Sequence, residues 1–428
     1  MSITPERLGA FDLQDPPDMD RIRACVHCGI CLPQCPTYRL LGQEMDSPRG
    51  RIYLIRAAAE GRIGITDTFA RHLDLCLNCR ACETACPSGV PFGRLLEATR
   101  GQIERQNRRS LSRRLFHGVV FNLFPYPGRL GVALRALSLY QRSGLQRVVR
   151  AGGLLALTPR LAAMERLLPR LSEDRSLLLP DLIPAEGKRK GRVGVLTGCV
   201  QRHLCSGINS LTGRLLSLAG YEVVIPRNQG CCGALHLHGG RLDEARRFAR
   251  ALLGAFPGDV DYIVANAAGC GSALKEYGHW LNEDERAARF SHRVRDISEL
   301  LVDADLPLRR LDVVATYHDP CHLAHGQKVR SQPRALLRKI PGLRLVDLPD
   351  SDLCCGGAGI YNLTEPHMAD RLLKGKLDRI AETNARILVS GNPGCLLQIA
   401  KGCRERGLAV EVLHPVELLG RSLDRGQP

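Results

Sequence analysis

No apolar run in this sequence approaches the roughly 18–20 residues of a membrane-spanning helix. The first twenty residues, MSITPERLGAFDLQDPPDMD, lack a basic region followed by an apolar one, so no secretory signal is expected. A Gly-rich loop of the dinucleotide pattern, a nucleophile elbow and an HExxH helix are missing as well. Their absence argues against a resident nicotinamide site, serine hydrolysis and zinc proteolysis of those kinds. No nucleic-acid module accompanies the net charge of +16, and nucleic acid is not expected as a partner.

The chain has 428 residues, enough for about three units at roughly 100–200 residues each. It carries eighteen cysteines. Without an export signal these are poor candidates for a disulfide framework, and clustered spacings point to metal or redox chemistry in a reducing compartment.

Eight of the cysteines form two copies of one arrangement. CVHCGICLPQCP begins at Cys25 and CLNCRACETACP at Cys76, and both read C-x2-C-x2-C-x3-C-P. Such a run wraps three corners of a cube of four irons and four sulfides, and in two-cluster ferredoxins the fourth cysteine binds the other cluster. Carried onto this chain, cluster one takes Cys25, Cys28, Cys31 and Cys86, and cluster two takes Cys76, Cys79, Cys82 and Cys35. The exchange would force the two motifs to pack together, with the clusters within electron-transfer distance. Zinc is the competing occupant, because sites of four cysteines commonly hold it. Two complete runs are far more specific to iron–sulfur. PRGRIYLIRAAAEGRI, between them, reads as a helix, which predicts an α-helical two-cluster domain.

Beyond residue 190, short apolar strands alternate with helical patterns. Strands are expected in GRVGVLTGC, YEVVIP and DYIVANAAGC, the first ending at Cys199 and the last at Cys270, with Cys231-Cys232-Gly233 between. The order recurs in LDVVATYHDPC, LRLVDLP and ARILVSGNPGC, with Cys321, Cys354-Cys355-Gly356 and Cys395. Cys199 to Cys231 is 32 residues and Cys321 to Cys354 is 33; Cys232 to Cys270 is 38 and Cys355 to Cys395 is 40. This is an internal duplication. Strand–helix alternation predicts parallel sheets with covering helices, whose sites lie at strand carboxyl ends. Four cysteines per copy therefore converge on one expected site, which would hold one or two further iron–sulfur clusters in all. The alternative is small core residues, since free cysteine is commonly buried. Cys205 and Cys403 fall outside the matched set. His236, His238, His318, His322 and His325 gather nearby, either to tune or ligate a centre or to hydrogen-bond strand-end carbonyls.

The charge is uneven. Between positions 101 and 170 there are thirteen Arg, no Lys and two Glu, so 13 − 2 gives +11 in seventy residues. This Leu- and Val-rich stretch is expected to be helical and to dock an acidic partner or an anionic lipid surface, against the alternative of a solvated linker.

Together, ACVHCGICLPQCPTYRLLGQEMDSPRGRIYLIR, HLDLCLNCRACETACPSGV, AGCGSALKEYG and DLCCGGAGIYNLTEP resemble the iron–sulfur subunits of membrane-linked 2-hydroxy-acid and glycerol-phosphate dehydrogenases. The words PTYRLLG and SPRGRIYLIR narrow the likeness to the subunit of bacterial glycolate oxidase (glycolate dehydrogenase). The resemblance runs from about Arg23 to the end and is weakest between 105 and 190. It implies a relay: an FAD-containing subunit oxidises glycolate to glyoxylate, a second flavin-type subunit accompanies it, and this chain passes electrons toward membrane quinone. FAD is expected on a partner and no catalytic residue on this chain. The implied location is cytoplasmic, peripheral to the inner face of the membrane. One departure from the related heterodisulfide reductases is that Cys270 and Cys395 are not followed by a second cysteine three residues on, so a non-cubane cluster with five cysteine ligands is not expected.

Three rival readings remain at this level. One keeps the relay and changes the substrate to lactate or glycerol 3-phosphate. Another makes the CCG units the active site of a heterodisulfide-reductase-like catalyst, and a third makes the chain a zinc-stabilised scaffold. The expected division is a ferredoxin domain over 1–105, an Arg-rich helical linker over 106–190, and CCG α/β units over 191–308 and 309–428.

Overall fold

The computed structural model describes residues 7–107, 109–152, 159–169, 179–282 and 284–423. They form two compact units, one of Met1–Phe121 with Ala234–Ala245, the other of Asn122–Gly233 with Arg246–Pro428.

The first unit is helical apart from a short antiparallel pair, β1 (Arg7–Leu8) and β2 (Phe11–Asp12). Its main helices are Pro36–Leu41, Pro48–Ala59, Asp67–Asp74 and Phe92–Gln106. The start of Pro48–Ala59 follows from local chemistry. Ser47 accepts a hydrogen bond from the Gly50 amide, and Pro48 occupies a first-turn position where no amide hydrogen is needed. Ile52, Ile55 and Ala59 then recur every three or four residues and enter a core with Phe11, Leu73 and Leu96.

The second unit contains two sheets. The first comprises β3 (Leu182–Ile183), β4 (Gly191–Leu196), β5 (Tyr221–Val224), β6 (Tyr262–Ala265) and β7 (Val294–Asp296), in the order β3-β5-β4-β6-β7. The second comprises β8 (Val313–Tyr317), β9 (Leu343–Val346), β10 (Ile387–Val389) and β11 (Glu411–Leu413), in the order β11-β10-β8-β9. Without β3, an antiparallel edge strand, both sheets are parallel and share one order: second strand, first, third, fourth. The duplication seen in cysteine spacing is thus a duplication of topology. The two sheets share a core that includes Val193, Val195, Val264, Ala315, Val389 and Leu419.

The basic stretch is helical as expected, over Leu111–Leu123, Pro127–Arg142, Leu145–Ala151 and Pro159–Leu167. Positions 108, 153–158 and 170 of that stretch lie outside the described residues. No helix among the described residues is long and apolar enough to cross a membrane.

Candidate metal centres

In the first unit, both ferredoxin motifs adopt the same backbone curl. His27 and Gly29 have φ of 54° and 87°, and the matched Asn78 and Arg80 have φ of 51° and 64°. Left-handed residues at the second and fourth positions after the leading cysteine bend each loop back on itself, a conformation that costs non-glycine residues energy. Arginines anchor the loops. Arg49 donates from Nη1 to the His27 carbonyl at 3.0 Å, and Arg100 donates from Nη2 to the Leu73 and Cys76 carbonyls at 3.0 and 2.5 Å.

Cys25, Cys28 and Cys31 of one motif line a hollow together with Cys86 of the other, beside Cys82. On the other side, Cys82 lies in the electrostatic reach of Cys76, Cys79 and Cys35, all buried. Burial pushes the Cys31 thiol up to about 11 and raises Cys82, so metal binding at either place must displace protons.

Beside Cys35 sits a charge that reading the sequence did not single out. Arg51 is wholly buried; it donates to the Asp46 carbonyl at 2.6 Å, to Thr37 Oγ1 at 3.0 Å and to the His72 carbonyl at 2.7 Å, and lies 4.0 Å from Cys35 Sγ. Asp46 balances it at 3.3 Å. A cation held there favours anionic sulfur nearby. The second motif has a polar neighbour as well: Asn78 donates to Glu97 Oε1 at 2.9 Å and stands 3.1 Å from His238 Nδ1.

In the second unit the strand order reverses between the first and third strands of each sheet, the crevice where such folds bind ligands. Cys199 follows β4 and Cys321 follows β8. Cys270 and Cys395 correct the sequence expectation: they do not end strands but sit in the first turns of helices Ala268–Leu274 and Pro393–Arg406. β6 stops at Ala265 and β10 at Val389, because helical hydrogen bonding begins within a few residues of each. The CCG pairs lie in loops after β5 and β9, as expected. Gly233 and Gly356 both have φ above 80°, and a Cβ on Gly356 would stand 2.7 Å from the Ala369 carbonyl oxygen, so only glycine fits.

The two copies share one chain of sulfur contacts, Cys199–Cys231–Cys232–Cys270 and Cys321–Cys354–Cys355–Cys395, and differ in that His318 joins the second. In the first, Cys199 Sγ is 3.5 Å from Cys231 Sγ and Cys232 Sγ is 3.3 Å from Cys270 Sγ. In the second, Cys355 contacts Cys354, Cys395 and His318, and Cys354 contacts Cys321. These contacts hold the Cys355 thiol well below its ordinary range. Lys376, buried on helix Pro366–Glu382, donates to the Asp350 carbonyl and faces Cys355 and Cys354. Its legible signal was a lysine in the apolar register of Leu372, Leu373, Leu377 and Ile380.

The copies also touch. Asn392 points Nδ2 at Cys395 Sγ (3.4 Å), while its Oδ1 accepts from the Gly269 amide (3.3 Å), next to Cys270. Of the other histidines, His325 is taken up by Arg330 and the Asp352 carbonyl, and His238 by Glu97 and Asn78. His236 packs against Phe121. Cys403 lies in an apolar cluster with Leu373 and Leu377, and Cys205 packs against the main core.

Comparison with known proteins agrees with this layout. Residues 21–90 match a 4Fe-4S dicluster domain, which implies two such clusters. Residues 112–168 match the linker region of the glycolate oxidase iron–sulfur subunit, and 193–275 and 315–400 match the cysteine-rich CCG domain. The chain is 41% identical to the probable glycolate oxidase iron–sulfur subunit of Bacillus subtilis (strain 168), over 94% of each chain. It is 36% identical to the glycolate oxidase iron–sulfur subunit of Escherichia coli (strain K12), over 94% of this chain and 95% of that one. Lactate utilization protein A of Oceanobacillus iheyensis is 30% identical, over 55% of this chain and 99% of that one.

Proposed function

Since the chain belongs to the family of glycolate oxidase iron–sulfur subunits, we propose that it is the electron relay of a multi-subunit glycolate oxidase. Electrons enter from an FAD-bearing subunit that oxidises glycolate to glyoxylate, accompanied by a second flavin-type subunit, and leave toward membrane quinone. Bound iron–sulfur clusters would supply one-electron steps between a flavin and a quinone that each exchange two.

The observation that carries the reading is the hollow shared by Cys25, Cys28, Cys31 and Cys86, which draws its sulfurs from both motifs. Cys76, Cys79, Cys82 and Cys35 form the second set, with Arg51 offsetting the negative charge that these thiolates gather. Cys199, Cys231, Cys232 and Cys270, and Cys321, Cys354, Cys355 and Cys395, form further redox stations at the ends of the two sheets. In this scheme 1–105 is the relay domain, 106–190 the docking segment, and 191–308 and 309–428 the terminal stations. The chain works at the cytoplasmic face of the membrane. Lactate is the weaker reading for the substrate, because the relative named for it matches only 55% of the chain.

The test compares extracts of a strain lacking this chain with its parent for dye and quinone reduction, on glycolate, lactate and glycerol 3-phosphate. Selective loss of quinone reduction with glycolate is expected. Full glycolate-to-quinone activity in the deletion strain would reject the relay.

A further inference from the structure

His318 is the first residue after β8, and its backbone amide donates to the Val389 carbonyl at 2.9 Å, fixing it beside β10. Its side chain is 0% exposed, and neither ring nitrogen makes a hydrogen bond of ordinary geometry. A neutral imidazole carries one donor and one acceptor, and burying both unsatisfied is unfavourable unless something else meets them. What faces the ring is sulfur. An imidazole nitrogen, Cys355 Sγ and Cys395 Sγ lie within 4.8 Å of one another, the one such group of three among the described residues.

The surroundings suit a cation bound by thiolates. Asn392 Nδ2 approaches Cys395 Sγ, Lys376 faces the Cys354–Cys355 pair, and Cys354 continues the chain of sulfur contacts to Cys321. The neighbouring acid is already occupied: Asp319 is gripped by both terminal nitrogens of Arg334, at 2.7 and 2.6 Å. It is therefore not the partner of His318.

At the matched place in the first copy there is no imidazole. Thr197 follows β4, its amide donates to Gln229 Oε1 at 2.8 Å, and Gln229 Nε2 donates to the Val195 carbonyl at 3.1 Å. A satisfied amide side chain closes the strand end there. The second copy keeps an unsatisfied imidazole among thiols instead.

We propose that His318 is the nitrogen ligand of an iron centre at the second CCG site, held otherwise by Cys355 and Cys395 with Cys354 and Cys321 alongside. This rests on reading that site as a metal site. Imidazole and thiolate together select iron, zinc or copper(I), and iron is the metal for which the rest of the chain is built.

The test uses full-length protein purified anaerobically, as wild type, His318→Gln and His318→Cys. Iron and zinc per chain are measured, and nitrogen couplings are recorded by pulsed EPR on oxidised and reduced samples. The wild type should hold iron beyond the about eight of two cubanes and show an imidazole nitrogen coupling. His318→Gln should lose the iron of the second CCG site and with it the nitrogen coupling, while keeping any iron at the first CCG site and the signals of the two ferredoxin clusters, which also reports that it folds. His318→Cys should keep the excess iron and lose the coupling. An iron content in His318→Gln equal to that of the wild type, a nitrogen coupling that persists in His318→Cys, or excess iron without coupling in the wild type would overturn the ligand assignment. Zinc in place of the excess iron would overturn the metal. A wild type with only about eight irons and no other metal would overturn the site itself, and with it the reading on which this proposal rests.

Discussion

At the scale of single residues, the segment SPRGRIYLIR shows how one short stretch serves folding and a metal site together. Ser47 caps the helix and Pro48 starts it, the second being where the helical reading of the sequence begins. The neighbouring Gly50 and Arg51 were not legible, because their reasons lie in parts of the chain that pack against them. A Cβ on Gly50 would stand 1.9 Å from the Glu44 carbonyl oxygen, a backbone atom that cannot swing away. Gly50→Ala should therefore destabilise the first unit despite the better helix propensity of alanine, and a fall in thermal midpoint against wild type would show it. Arg51 is matched to Asp46, and both side chains are buried. Removing it as Arg51→Met leaves the buried Asp46 carboxylate with only His72 Nδ1, at 3.0 Å, as its partner, a loss of up to about 3–5 kcal/mol. Arg51→Lys keeps the charge but not the fork that reaches Thr37, Asp46 and His72 at once. Potentiometric EPR should find the midpoint of the cluster at Cys35 lower in Arg51→Met than in Arg51→Lys, because only the second keeps a cation beside the sulfur. Equal midpoints would mean that this charge does not act on the cluster.

At the scale of elements, the alternation of strand and helix and the matched cysteine intervals made the duplication readable. The common strand order explains why it persists. Each copy needs its first and third strands adjacent, so that loops from both meet at one crevice. Strand ends were less legible: DYIVANAAGC and ARILVSGNPGC read as strands through to cysteine, yet helix takes over first. The hydrogen bonds that join the copies could not be read at all, since they link residues of separate elements from 35 to 148 positions apart. One of them makes a pH prediction. His414 caps helix Pro415–Ser422, accepting at Nδ1 from the Val416 amide, while Nε2 donates to the Asn266 carbonyl at 2.8 Å. Burial lowers its pKa to about 4, because a second proton has no place on a ring whose Nδ1 is already an acceptor. The unfolded chain takes that proton near pH 6.5, so the stabilising effect of the neutral ring is complete above 6.5 and is lost as pH falls toward 4. Between pH 7.5 and 5 this one group should cost on the order of 2 kcal/mol. His414→Asn keeps a capping side chain and removes the titration. Denaturant midpoints measured across that range should slope less in the variant; parallel slopes would remove His414 as the cause.

At the scale of the whole molecule, a relay must meet both its electron donor and its acceptor, and the basic stretch is where the surface chemistry is least like that of a solvated protein. On helix Leu111–Leu123, Leu111, Leu115 and Val119 are 71%, 64% and 57% exposed, four residues apart and hence on one face. Helix Pro127–Arg142 repeats the pattern with Val132 and Leu139 exposed and seven residues apart. Composition announced the charge of this stretch, but which of its leucines remain outside depended on the packing of Val120, Phe121, Leu130 and Leu134 inward. Apolar side chains presented among arginines suit a surface that is greasy below and anionic above, where each leucine or valine that inserts fully is worth about 1.5–3 kcal/mol. The protein should bind vesicles containing anionic lipid, more weakly as salt rises, because the Coulomb part is screened. Leu115→Glu with Val119→Glu should weaken that binding at least about tenfold, losing insertion and adding repulsion. Because both positions are exposed, iron content and unfolding midpoint should stay as in the wild type. If vesicle binding is unchanged in the double variant while quinone reduction by the assembled complex collapses, the same face serves a protein partner. The membrane contact must then be made by another subunit.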